Sequence, residues 1–113
     1  MTTTRTSRDG KRIIMICNDY TDATVEELAK HLNFRLIQSA DYTSATLNYD
    51  CSEGCPIATA EGAIDLPESY PLKFKGKDSE VWCSAVTAGY RGQGPYGSLH
   101  CLEMMGFVLS EVR

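Results

Sequence analysis

No stretch of the 113 residues approaches the roughly 20 consecutive apolar residues that a membrane-spanning helix needs. The opening "MTTTRTSRDGKR" also lacks the apolar core of a secretory signal. A cytoplasmic protein that does not engage a membrane is the resulting expectation. An excess of basic residues is missing too. Eleven Lys and Arg stand against 15 Asp and Glu, for a formal charge of -4. A phosphate-backbone binder normally carries a basic stripe, so the balance argues against nucleic acid as a partner. Histidine is scarce: His31 and His100 stand alone, with no neighbour in sequence that suggests a nucleophile–base pair. No Ser-His-Asp or Cys-His pattern emerges, so no catalytic residue is assigned and a non-enzymatic role is favoured. Internal repeats and low-complexity tracts are absent as well.

Cysteine, by contrast, is plentiful. Five are present, an odd number, so a complete disulfide framework cannot close within one chain. Cys17, Cys83 and Cys101 lie in the apolar contexts "IIMICN", "EVWCSAV" and "SLHCLEMM". There a reduced cysteine acts as a small buried hydrophobe. Cys51 and Cys55 sit in the polar "CSEGCP". Their three-residue gap falls within the range of zinc-binding pairs, but a second pair is missing, and only folding could add Cys83, His100 or Cys101. A Cys51–Cys55 disulfide or redox-sensitive thiol is the other chemistry open to them, although the gap differs from Cys-x-x-Cys. Two inert cysteines in a loop is the simpler reading. Cofactors are unassigned.

The length suits one α+β domain over residues 1–113, with 1–8 either a frayed tail or, in part, a strand turned by Asp9-Gly10. "KRIIMIC" reads as a central strand, because Ile13 to Ile16 are continuously apolar and rich in β-branching. Thr24 to Asn33 reads as a helix. Thr24 and Glu27 have the spacing of a capping box, worth about 1 kcal/mol. Val25, Leu28, Ala29 and Leu32 form one apolar stripe. "FRLIQSA" and "TSATLNYD" read as two further strands. From Asp50 to Pro71, Gly54, Pro56, Gly62, Pro67 and Pro71 interrupt the pattern, which predicts an irregular segment with a short helical turn near Ala58 to Ala63. "PLKFKGKDSEVWCSAV" reads as a hairpin turning at Gly76-Lys77-Asp78. A helix from Pro95 to Met105 should bury Leu99, Leu102 and Met105 and end at Gly106, before a last strand "FVLSEV". The sum is a mixed β-sheet of about five to six strands with two short helices packed on it.

Between the hairpin and the last helix lies "GYRGQGPYGSLHCLEMMG". Gly92-x-Gly94-x-x-Gly97 formally matches a dinucleotide fingerprint, and Glu111 stands where a ribose-binding acid would. Two features oppose that reading: the unit comes last instead of leading a sheet, and the helix is short for a pyrophosphate-binding crossover. A phosphate loop fails as well, since Gly92 and Gly97 have its gap but no lysine precedes Ser98. The underlying physics survives both failures. Glycines let backbone amides approach a ligand, and a helix start carries positive partial charge. Arg91 adds a fork of donors and Ser98 a hydroxyl, while Tyr90 and Tyr96 can stack on a ring. Gly89, Tyr90, Arg91, Gly92, Gly94, Tyr96, Gly97 and Ser98 are therefore the candidate ligand-binding residues. The plain alternative is a sharp corner between strand and helix.

"CNDYTD" follows the central strand. Asp19 and Asp22 can bind a cation or a ribose there, although Asp22 and Thr24 also suit a cap. If Ile13–Ile16 and Val81–Val86 are neighbouring parallel strands, Asp19 and Arg91 open on one cleft, and Asp19 joins the candidates. The expected function is binding of an anionic or nucleotide-like small molecule through Gly89–Ser98. A protein-interaction or inhibitory module with an acidic surface is the alternative, and a Cys-based metal or redox site a further one. An exposed edge strand leaves self-association open.

Overall fold

The computed structural model describes residues 1–47, 55–59, 62–66, 70–85 and 93–107. It contains a five-stranded mixed sheet, a separate two-stranded ribbon and two helices. The strands are β1 (Thr2–Thr6), β2 (Arg12–Ile16), β3 (Tyr42–Leu47), β4 (Cys55–Thr59), β5 (Gly62–Leu66), β6 (Leu72–Gly76) and β7 (Ser79–Cys83). The helices are α1 (Thr21–Asn33) and α2 (Gln93–Met104). The large sheet runs β1-β2-β7-β6-β3. Only the β2–β7 pairing is parallel, with Ile14 opposite Val81 and Ile16 opposite Cys83.

The α+β fold expected from the sequence is the fold observed. β2 is the interior strand its continuous apolar run implies, flanked by β1 and β7 and buried from Ile13 to Ile16. Ile14 and Ile16 join Leu72, Phe74, Val81 and Cys83 on one face, which receives Leu28, Cys101, Leu102 and Met105 from the helices. Ile13 and Met15 gather with Tyr70 and Trp82 on the other. Each such aliphatic or aromatic side chain contributes about 1.5–3 kcal/mol on full burial. The Trp82 indole donates to Glu80 at 3.0 Å, and the Lys73 ammonium lies 4.1 Å from the ring centroid.

The amino-terminal residues 2–6 form an ordered edge strand paired in register with β2. Its β-branched threonines suit an extended strand, exposed from Thr3 to Thr6. The turn is longer than the two residues expected from Asp9-Gly10. Gly10 N–H donates to the Ser7 carbonyl at 3.0 Å with φ +89°, so Gly10 supplies the left-handed step of a three-residue hairpin. The β6–β7 hairpin forms as expected. Gly76 is required there, because a Cβ at that position would lie 2.1 Å from the Asp41 carbonyl oxygen.

Three expectations are corrected. First, α1 begins at Thr21, not Thr24. Thr24 lies fully buried inside the helix, and Glu27 turns toward Thr2 instead of back to a cap. The apolar stripe survives, since the helical phase is the same. Secondly, Phe34–Ala40 is not a strand. The helix ends in a Schellman turn: Leu36 N–H donates to the His31 carbonyl at 2.9 Å and Arg35 N–H to Leu32 at 3.2 Å, with Arg35 left-handed at φ +59°. A 3-10 turn at Ser39–Asp41 follows before β3. The apolar letters of "FRLI" suggested pairing, but two of them serve the turn and stay exposed, while Ile37 enters the core. Thirdly, β4 and β5 replace the irregular segment and its helical turn, with Ile57 opposite Ile64. Among the described residues β4 pairs only with β5, and a strand with one unpaired side tolerates proline better than a central strand does.

α2 opens two residues earlier than expected, and Leu99 is 42% exposed. Leu102 and Met105 are buried as expected, and Gly97 and Cys101 take the place of Leu99 on the buried side. Gly106 ends it as expected at φ +87°, and Phe107 N–H closes a second Schellman turn onto Leu102. Phe107 then packs on Phe74, with ring centroids 5.8 Å apart. The remainder of the expected last strand, including Glu111, lies outside the described residues. Among those residues, no helix is long and apolar enough to cross a membrane.

Candidate functional site

β2 and β7 lie side by side and parallel, so their carboxyl ends reach the same sheet edge. β2 leads into α1, and α2 is the next described element after β7. Ligands of open α/β sheets commonly bind outside the carboxyl ends of parallel strands. Asp19 is exposed in the segment that leaves β2; Arg91, expected to open on the same cleft, lies outside the described residues.

The two departing segments are joined by hydrogen bonds. Ser84 N–H extends the ladder to the Ile16 carbonyl at 3.0 Å. The Ser84 hydroxyl accepts from Asn18 N–H at 2.9 Å and donates to the Asn18 carbonyl at 3.2 Å. Thr21, the first residue of α1, donates its hydroxyl to the Ala85 carbonyl at 2.6 Å. Ala85 itself is left-handed at φ +60°. A non-glycine residue in that conformation costs about 1–2 kcal/mol. The Thr21 hydroxyl bonds the carbonyl of this residue and helps hold it in place. The Asn18 side-chain amide nitrogen is buried and makes no hydrogen bond of full geometry among the described residues. Tyr20 is 74% exposed beside it in sequence.

Of the glycine-rich candidates, Gly89, Tyr90, Arg91 and Gly92 lie outside the described residues. Gly94, Tyr96, Gly97 and Ser98 fall within the first two turns of α2. Gly94 and Gly97 are therefore helical residues, not loop residues. Helix geometry leaves the first-turn amides of Gln93, Gly94 and Tyr96 without intrahelical partners, and Pro95 has no N–H to satisfy.

The cysteines behave as their apolar settings imply. Cys83 and Cys101 are fully buried and Cys17 is half-buried. A hydrogen bond with Cys101, reinforced by burial, pushes the Cys83 thiol well above its ordinary pKa, which keeps it protonated and unreactive. Cys55 opens β4, while Cys51 is outside the described residues. Among the described residues, no cluster of three His, Cys, Asp or Glu can hold a metal.

One polar cluster is invisible to a linear reading. Glu27 and His31, one turn apart on α1, both reach Thr2 of β1. The Thr2 hydroxyl donates to the Glu27 carboxylate. With its single proton so used, it accepts from His31 Nε2 at 2.7 Å, which places the imidazole proton on Nε2. Partial burial pushes the Glu27 carboxyl up, but hydrogen bonds from the Met1 nitrogen and Thr2 outweigh it and hold the group below its ordinary range. Helical spacing of Glu27 and His31 was the one available signal. Their partner, 25 residues away from Glu27, became apparent only once β1 paired with β2. Two hollows, about 450 and 230 Å³, flank this cluster. A third, about 650 Å³, lies at the amino ends of β2 and β7 beside Asp41, Lys77 and Asp78, and shares Arg12 with the smallest.

Comparison of the chain with protein-family models, with curated proteins and with solved structures finds no match.

Proposed function

We propose that the chain is a binding module for an anionic or nucleotide-like small molecule, held at the carboxyl edge of β2 and β7 by the Gly89–Ser98 segment with Asp19 alongside. The parallel pairing of β2 and β7 carries this reading, because it brings the carboxyl ends of both strands to one edge. The bonds Asn18–Ser84 and Thr21–Ala85 support it by tying those ends together. First-turn amides of α2 and the Arg91 guanidinium supply donors for a phosphate or carboxylate. Tyr90 and Tyr96 supply ring faces.

A thermal-shift panel of nucleotides, inorganic phosphate and small carboxylates tests the proposal. At least one anion should raise the midpoint in a saturable manner, and Arg91→Ala should abolish the rise. A panel that leaves the midpoint unmoved, or an Arg91→Ala variant that responds like the parent, contradicts it.

The exposed Tyr20 beside Asp19 favours a second reading, a protein-interaction or inhibitory module using the same edge. Affinity capture separates the two: a stoichiometric protein lost on Tyr20→Ala supports this one, and a co-purifying metabolite the first.

A further inference from the structure

The Schellman turn after α1 leaves Phe34 69% and Leu36 63% exposed, on either side of the left-handed Arg35. Two large apolar side chains held in solvent by an otherwise ordered turn are costly unless something covers them. They wall the two hollows beside β1. The larger hollow runs past Phe34 and Ala23, and the smaller one has Ile14 and Ile37 as its apolar floor. Thr2, His31 and Leu36 line both, so the hollows meet there as one trough. Together they fall within the range of about 300–1,000 Å³ usual for small-molecule sites, apolar walls with a few fixed polar groups.

Charge selects the occupant. Glu27, the acid nearest the junction, is already engaged by Thr2 and the Met1 nitrogen. No acid lines the smaller hollow, where Arg12 stands at the mouth. Among the described residues the Arg12 guanidinium has no ion-pair partner, although it also borders the hollow containing Asp41 and Asp78. Lys30 on the larger hollow is likewise without one, but Glu26 shares that lining. Arg12, without an ion-pair partner among the described residues, therefore stands between the acidic hollow and an acid-free, apolar-floored end of the trough, and the other end is walled by an aromatic ring.

We propose that this trough is a second binding site, separate from the carboxyl-edge site, for an elongated amphipathic carboxylate of the straight-chain fatty-acid type. Its carboxylate sits at Arg12, with the Thr2–His31 pair fixing the waist of the trough. Its chain lies over Ile14 and Leu36 toward Phe34. The site uses neither Arg91 nor the glycine-rich segment, so it stands or falls independently of the function proposed above.

Sodium decanoate is the probe, titrated into the full chain by calorimetry and by amide NMR, with decanamide as the uncharged control and hexanoate as the short one. Decanoate should bind saturably and move the amides of Thr2, Thr4, Leu36 and Ile37. Decanamide should bind about tenfold more weakly, the worth of one charge-assisted contact, and hexanoate, four methylenes shorter, about a hundredfold more weakly or worse. Arg12→Gln and Leu36→Gln alter exposed side chains, so both variants should fold. Arg12→Gln should lower decanoate affinity about tenfold and leave decanamide unaffected. Leu36→Gln should weaken both. Absence of saturable binding, equal affinity for acid and amide, or shifts confined to Ser84–Ser98 would each overturn the proposal.

Discussion

Replacing Ser84 by alanine tests the joint on which the candidate site is built. Ser84 is 4% exposed, and its hydroxyl bonds both the amide and the carbonyl of Asn18, at 2.9 and 3.2 Å. Deleting the oxygen strands a partly buried backbone N–H and C=O in a narrow gap between β2 and β7. An unsatisfied group of this kind costs about 1–3 kcal/mol, so a loss of about 2 kcal/mol is expected. Thr21→Val, which keeps the shape and removes the bond to Ala85, should cost about 1 kcal/mol, partly offset as Ala85 relaxes from its left-handed conformation. Both hydroxyls secure the same pair of segments. The double variant should therefore depart from additivity by at least about 0.5 kcal/mol. Urea unfolding followed by Trp82 fluorescence reads these values. With a slope of about 2 kcal/mol/M, Ser84→Ala should lower the midpoint by about 1 M. Hydrogen exchange at the Asn18 amide should accelerate in parallel. A midpoint within about 0.2 M of the parent, with Asn18 exchange unchanged, would refute the claim that Ser84 ties the two segments together.

Three other outcomes follow from the fold. Gly76→Ala places a Cβ 2.1 Å from the Asp41 carbonyl oxygen, so β3 and β6 must shift; chemical denaturation should register a loss of about 2–3 kcal/mol, the upper range for overpacking. Arg35→Gly removes the penalty of a left-handed side chain at the Schellman turn and should stabilise by about 1 kcal/mol, read as a rise in melting temperature. Glu27 is held below its ordinary pKa when folded, so its contribution is complete above the unfolded value near 4.5 and disappears as pH falls through the lower folded value. Glu27→Gln should accordingly destabilise at neutral pH and show a shallower decline in stability below about pH 4.5 than the parent.

Features set by local pattern were legible in the sequence. The continuous run Ile13–Ile16 could be buried only as a central strand, and alternation in Leu72–Cys83 could pack only as a hairpin. The parallel neighbourhood of those two segments was available as a geometric condition, and it holds. What failed depended on partners distant in sequence. Thr24 and Glu27 have the spacing of a capping box, but the buried position of Thr24 and the proximity of Thr2 to Glu27 override it. "FRLI" carries the letters of a strand, yet a helix that runs to Asn33 uses the next residues to close its own carbonyls. Prolines and glycines between Asp50 and Pro71 suggested irregularity, but a two-stranded ribbon tolerates Pro56 in a way that a central strand does not. Around the carboxyl ends of β2 and β7, the place of Asp19 just after β2 was legible, whereas the joining role of Asn18, Ser84 and Thr21 was invisible because no single hydroxyl announces its acceptor.

The most direct test of the proposed function is an amide-resolved NMR titration of the full chain with a nucleoside monophosphate and, separately, inorganic phosphate. Saturable shifts concentrated at Asn18, Asp19, Ser84 and the first-turn amides Gln93 and Gly94 are the predicted result. Shifts that fail to saturate, or that cluster away from the carboxyl ends of β2 and β7, would contradict it.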